Sequence, residues 1–121
     1  MQSDRISNTI RALEAMEMNV SMELPVGQVI VYPQHKPGGV YVGLTGAIRL
    51  IPDDPDDRDM TIELTADEHP FVFPTLEMLD VAATCCASVS KTSRLIYIPR
   101  SVVISDEHTR ALLTDLARYH S

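Results

Sequence analysis

The chain has 121 residues, 45% hydrophobic and 22% charged, with a formal net charge of −7 at pH 7. That length holds one domain with a single core, and the composition is that of an ordinary globular protein. The acidic balance argues against nucleic-acid binding by the bulk surface, because phosphate affinity comes from Lys and Arg and the ten basic residues are scattered.

No apolar run approaches the roughly 20 residues needed to span a bilayer. The start, Met1-Gln2-Ser3-Asp4-Arg5, carries an acid and leads into an amphipathic segment rather than an apolar signal core. The expectation is a cytoplasmic protein that engages neither a membrane nor, through this domain alone, nucleic acid.

Residues 3–18 read as a helix that yields near Asn19. Ser3 is placed to cap its first turn, and Ile6, Ile10, Leu13 and Met16 fall on one face. Glu23-Leu24-Pro25 leads into a β region, and the stretch from Pro25 to Pro33 reads as a strand bounded by prolines, with β-branched residues at its middle. Gln34-His35-Lys36-Pro37-Gly38-Gly39 is a turn. From Val40 to Leu50 every second residue is apolar or glycine, which describes a strand with one face in a core. Gly43 and Gly46 interrupt it where a bulge or a close backbone approach tolerates no side chain.

The stretch from Ile51 to Asp59 holds five aspartates and two prolines and is expected to be a solvated surface loop; it lacks the glycine and distal glutamate of a calcium-binding helix–loop–helix. Met60, Ile62 and Leu64 are expected to alternate inward on the following strand. Phe71-Val72-Phe73-Pro74 is an apolar knot holding both phenylalanines, and Thr75 to Leu79 can form a helical turn. Two further strands are expected, a small-residue one from Val81 to Ser90 and a last one from Arg94 to Pro99. The adjacent Cys85 and Cys86 face opposite ways on a strand, so they read as two buried thiols, with a redox pair as the sharper alternative. A C-terminal helix follows, with Ser105 as N-cap and Asp106 and Glu107 placed against its dipole. In all, half a dozen to eight short strands stand between two helices, which points to a β-sandwich or barrel.

Leu24-Pro25-Val26-Gly27-Gln28-Val29-Ile30, the Pro37-Gly38-Gly39 turn, the run from Val40 to Leu50 and the run from Thr92 to Arg100 together resemble the sensor domains of catabolite-activator/FNR-type regulators. The resemblance covers roughly residues 20–120. It implies a mainly β fold with flanking helices, a double-stranded β-helix (jelly roll) of the cyclic-nucleotide-binding-like kind. As one domain over residues 1–121, the chain would comprise an N-terminal helix at 3–19, a β-roll at 24–100 and a C-terminal helix at 105–120.

Cyclic-nucleotide binders of that family carry a Gly-Glu pair on a short helix, then an Arg followed by Ser or Thr, so that the Arg neutralises the phosphate and the Glu takes the ribose hydroxyl. Here the Gly-Glu pair falls on about Val72 to Pro74 and is absent; the Arg falls on Ala83 and is absent; Thr84 matches the Ser/Thr. A buried anion without a cation is costly. Cyclic AMP in the usual mode is therefore not expected; a genuine cyclic-nucleotide site would need Arg49, Lys91 or Arg94 as a non-standard cation. If a ligand pocket survives, the resemblance places Val42, Leu44, Phe73, Thr75, Thr84 and Cys86 near it.

Many relatives carry a DNA-reading domain after the C-terminal helix, so the chain is expected to be either a stand-alone sensor-like module or the sensor part of a longer regulator. In the resembled family that helix pairs with its twin. Leu112, Leu113, Leu116 and Tyr119 are accordingly candidates for a homodimer or protein-partner seam, and the same stripe can instead lie on its own β-roll. Another jelly-roll group, the cupins, contains metal enzymes. His35, His69, His108 and His120 are never closely spaced as a metal cluster requires, and no nucleophile elbow or phosphate-cradling loop is visible. The expectation is a regulatory sensor or interaction module, not an enzyme, with no metal, no cofactor, and either a small-molecule effector or contacts to other proteins. A small cupin-type metal enzyme is the alternative.

Overall fold

The structure, a computed structural model, describes residues 2–119, with side chains from Asp4 onward. The Ser3 cap and His120, with the last residue expected in the C-terminal helix, lie outside what it describes. The elements run α1 (Gln2–Glu14), β1 (Val20–Leu24), β2 (Val29–Val31), β3 (Gly39–Pro52), a 3-10 turn (Pro55–Met60), β4 (Ile62–Thr65), β5 (Phe71–Phe73), a second 3-10 turn (Leu76–Met78), β6 (Cys85–Pro99), α2 (Arg100–Ser105) and α3 (Glu107–Ala117).

A ribbon of two long antiparallel strands organises the chain. β3 pairs with β6 from Gly39 opposite Pro99 to Pro52 opposite Cys85. One half of the ribbon carries β1 on β6 and β5 on β3; the other carries β2 on β6 and β4 on β3. The halves meet where the β3–β6 register shifts repeatedly, between Gly43 and Ile48. Bulges of this kind bend a strand and increase its twist. Gly46 there has φ +89°, and the buried Ser93 holds the joint: the Ala47 amide donates to its Oγ at 3.1 Å, and its hydroxyl donates to the Lys91 carbonyl at 2.6 Å. Gly43 lies under the Phe71 ring, so close that an added Cβ would fall 2.2 Å from it.

These bulges change which face each residue presents. Val40 and Val42 join a cluster with Ile96 and Ile98 of β6 and with Ile6, Leu13, Val103, Leu113 and Leu116 of the three helices. Beyond Gly46, Ile48 and Leu50 join a different cluster inside the roll, with Phe71, Phe73, Val89 and Leu95. Each bulge inserts an extra residue into the period-2 pattern, so alternation that looks continuous in sequence changes sides. The expectation of one core face along Val40 to Leu50 is corrected to two.

Other boundaries also shift. α1 ends at Glu14, where the Asn19 side-chain amide donates to the Leu13 carbonyl at 2.9 Å and closes the helix; β1 follows at once. The strand expected from Pro25 to Pro33 shrinks to Val29–Val31. The two strands expected at 81–90 and 94–99 form one strand, Cys85–Pro99, because the polar break at Lys91 to Ser93 is the ribbon's bend rather than its end. Among the described residues six strands form, two of them long, in place of a series of short ones. The aspartate loop contains a 3-10 turn capped by Asp54, which accepts from the Asp56 amide at 3.0 Å. Met60 and Ile62, expected inward, are 65% and 56% exposed: Met60 ends the 3-10 turn and Ile62 opens β4, an edge strand.

The C-terminal segment divides into two helices. Pro99 starts α2, and Arg110 reaches back to donate to the Val103 and Ile104 carbonyls at 2.9 and 2.6 Å. Asp106, not Ser105, caps α3; the Ser105 hydroxyl donates to the Ser101 carbonyl instead. The Asp106 carboxylate accepts from the Thr109 hydroxyl at 2.7 Å and from the His108 amide at 3.2 Å. The Thr109 bond above all holds its pKa below the ordinary carboxylate range. A carboxyl whose pKa falls on folding adds stability above its unfolded value, about 3.9, and that stability is lost as pH drops through the lowered folded value. Asp106→Ala is expected to lower the melting temperature clearly at pH 7 and by less near about pH 2.5. Melting curves at both pH values check this, and an equal loss at both would remove the charge from the explanation.

Candidate functional site

α3 packs against β5 of the roll. Between them is a groove of about 490 Å³. Leu50 and Pro52 of β3, Ile62 and Leu64 of β4, and Val72 and Phe73 of β5 form its strand wall. Thr75 and Met78 of the second 3-10 turn, Thr84, Cys85, Met60 and Ala117 of α3 complete it. No charged residue is among these twelve. A neighbouring cavity of about 690 Å³ shares Pro52, Met60 and Thr84 with the groove and is otherwise lined by Gln34, Asp53, Asp54, Asp57, Ala82 and Ala83. Its charge is therefore negative.

Of the residues singled out in sequence, Phe73, Thr75 and Thr84 stand on the groove, whereas Val42 and Leu44 pack toward the helices. Cys86 does not line the groove and its neighbour Cys85 does. Arg49, Lys91 and Arg94 are exposed and line neither cavity. Arg49 stands opposite Glu63 of β4, and Arg94 opposite Thr45. Ala83, where the resemblance places a phosphate-binding arginine in nucleotide binders, is buried with the roll's inner cluster. A cation near the short turn does exist: Arg100 donates to the Leu79 carbonyl and pairs with Asp80, and so it is occupied in bracing the loop that follows Met78.

Sequence reasoning did not find Met60, Ile62, Met78, Cys85 or Ala117. The first two carried one signal, large apolar side chains beside an acidic loop; Met60, Ile62 and Met78 are 65%, 56% and 38% exposed. Both cysteines are free and half-buried. Burial, and then the neighbouring Cys86, push the Cys85 thiol pKa up, which depletes the thiolate and works against redox reactivity.

The apolar stripe of α3 is largely used within the chain. Leu113 and Leu116 are fully buried against the helix-side cluster, and Leu112 and Tyr119 pack partly on it. The seam expected through these four residues thus cannot offer its two inner leucines to a partner. α1 is tied to the same helix by Arg5, which donates to both Asp115 carboxylate oxygens at 2.9 and 3.2 Å. Among the described residues, no three His, Cys, Asp or Glu side chains converge as a metal site. His35 contacts the Pro33 carbonyl, His69 lies against the Tyr119 ring, and His108 stands in the first turn of α3. No helix among the described residues is long and apolar enough to cross a membrane.

No protein-family model and no curated protein matches the chain. Solved structures do. One is a chain from a cyclic-GMP-dependent signalling pathway that regulates bacterial phytopathogenesis, 25% identical, covering 90% of this chain and 86% of its own, with a TM-score of 0.61. The Thermus thermophilus catabolite activator protein is 16% identical over 93% of this chain, with a TM-score of 0.61. The regulatory subunit of a cAMP-independent protein kinase A from Trypanosoma brucei is 16% identical over 96%, also with a TM-score of 0.61. The chain spans 52% of the second protein's length and 45% of the third's. With its β3–β6 ribbon, short turn before β6 and helices packed on one face, the chain has the jelly-roll fold found in a cyclic nucleotide-binding domain from Methylobacillus flagellatus and in the catabolite activator protein.

Proposed function

We propose that this chain is a regulatory sensor domain that takes a small effector in the groove between its β-roll and α3, and that the effector is not a cyclic nucleotide bound in the usual mode. One observation carries the reading: the groove persists, yet no charged residue lines it and the cavity beside it holds Asp53, Asp54 and Asp57. A cyclic phosphate entering there would lose its water without gaining a cation. Regulatory neighbours with the same architecture, one of them the cAMP-independent kinase subunit, support a sensing role in which cyclic AMP is dispensable.

The test is thermal melting with cyclic AMP and cyclic GMP. For a dissociation constant above about 1 mM, either nucleotide at about 1 mM should raise the melting temperature by no more than about 2–3 °C. A large, saturable rise with either nucleotide would overturn the exclusion and direct attention to Arg49, Lys91 and Arg94 as the source of the cation.

A further inference from the structure

We propose that the effector is an uncharged, mainly apolar small molecule bearing a hydrogen-bonding group, and that the site discriminates against anions. This rests on the reading of the groove as a small-molecule site. The volume, about 490 Å³, falls within the roughly 300–1,000 Å³ typical of such sites. Met60, Ile62 and Met78 leave apolar surface in water at the mouth, and an apolar occupant covers it. A protein segment fits less well: twelve residues line the groove, against about 20–30 per side in a specific protein interface.

The hydroxyls of the lining are those of two threonines. Thr75 and Thr84 are exposed at the groove, and neither side chain is engaged in a hydrogen bond among the described residues. A hydroxyl both donates and accepts, so the pair suits a neutral alcohol, phenol, carbonyl or amide and compensates no net charge. The adjoining carboxylates supply the discrimination. Asp53, oriented by the Gln34 side-chain amide at 3.2 Å, stands with Asp54 and Asp57 across the shared Pro52–Met60–Thr84 boundary. Three negative charges there are expected to weaken binding of an anionic twin about fivefold to tenfold at low ionic strength, and less in high salt.

Cys85 reports occupancy and Cys86 is its internal control, since only the first lines the groove. Iodoacetamide labelling of the whole chain, read by mass spectrometry, is compared with 2-naphthylmethanol, with its carboxylate twin 2-naphthoate and with cyclic AMP. The expected result is slower labelling of Cys85, not Cys86, at lower concentrations of the alcohol than of the carboxylate. The difference should narrow as salt rises, and Ala117→Phe should abolish protection while the variant still melts cooperatively. Equal or better protection by 2-naphthoate would overturn the charge preference and leave the small-molecule site standing. Protection by cyclic AMP would overturn the reading beneath it. No protection by any compound, with or without self-association of the chain, would overturn both.

Discussion

Gly46→Ala is expected to cost about 3 kcal/mol or more, whereas Gly27→Ala costs only about 1 kcal/mol, although both glycines have left-handed φ angles, +89° and +96°. The conformational penalty is common to the two sites. What differs is the space: a Cβ on Gly27 meets nothing within 4 Å, while one on Gly46 falls 2.3 Å from Ser93 Oγ and 2.5 Å from the Thr92 carbonyl oxygen. The Thr92 oxygen belongs to the partner strand's backbone at the ribbon's bend, so relief requires β3 and β6 to separate where Ala47 and Ser93 are hydrogen-bonded. Asparagine separates the contributions, because it tolerates the left-handed region but still carries a Cβ. Gly27→Asn should therefore be close to neutral and Gly46→Asn nearly as damaging as alanine. Urea unfolding of the four variants checks this; similar losses at both positions would mean that φ alone governs the bend.

That bend also marks the limit of what could be read from sequence. The alternation from Val40 to Leu50 identifies a strand correctly, but side-chain period says nothing about an inserted residue, so the transfer of Ile48 and Leu50 into the roll was invisible. Lys91, Thr92 and Ser93 look like a break between strands; Ser93 is fully buried, with its hydroxyl accepting from the Ala47 amide across the ribbon and donating to the Lys91 carbonyl. α2 was hidden because Val102, Val103 and Ile104 are β-branched, and tertiary packing of Val103 overrides that weak preference. At the groove, the resemblance led to Phe73, Thr75 and Thr84, which lie close together in the chain or beside a family motif. Met60, Ile62 and Ala117 meet only through folding, and no local pattern links an acidic loop to the last turn of a distant helix. The choice between Cys85 and Cys86 turns on a single residue of register, which moves a side chain to the opposite face.

Leu116→Ala is expected to lower stability by about 2–5 kcal/mol, or the melting temperature by roughly 8–20 °C for a chain of this size. Leu116 is fully buried in the cluster that joins α1, α2 and α3 to Val40, Val42, Ile96 and Ile98, so truncation leaves a cavity bounded by strands as well as helices. Leu113→Ala should cost a similar amount, and Leu112→Ala less, because Leu112 only borders the cluster. Protein concentration decides between the two uses of this stripe. Contacts within one chain give a midpoint that does not move over a hundredfold dilution, whereas contacts across a dimer make it fall with dilution. The expected result is a large loss in Leu116→Ala with no concentration dependence in either the parent or the variant. A parent midpoint that falls on dilution, together with a Leu116→Ala variant that is monomeric and nearly as stable as the diluted parent, would return α3 to the role of a dimer seam.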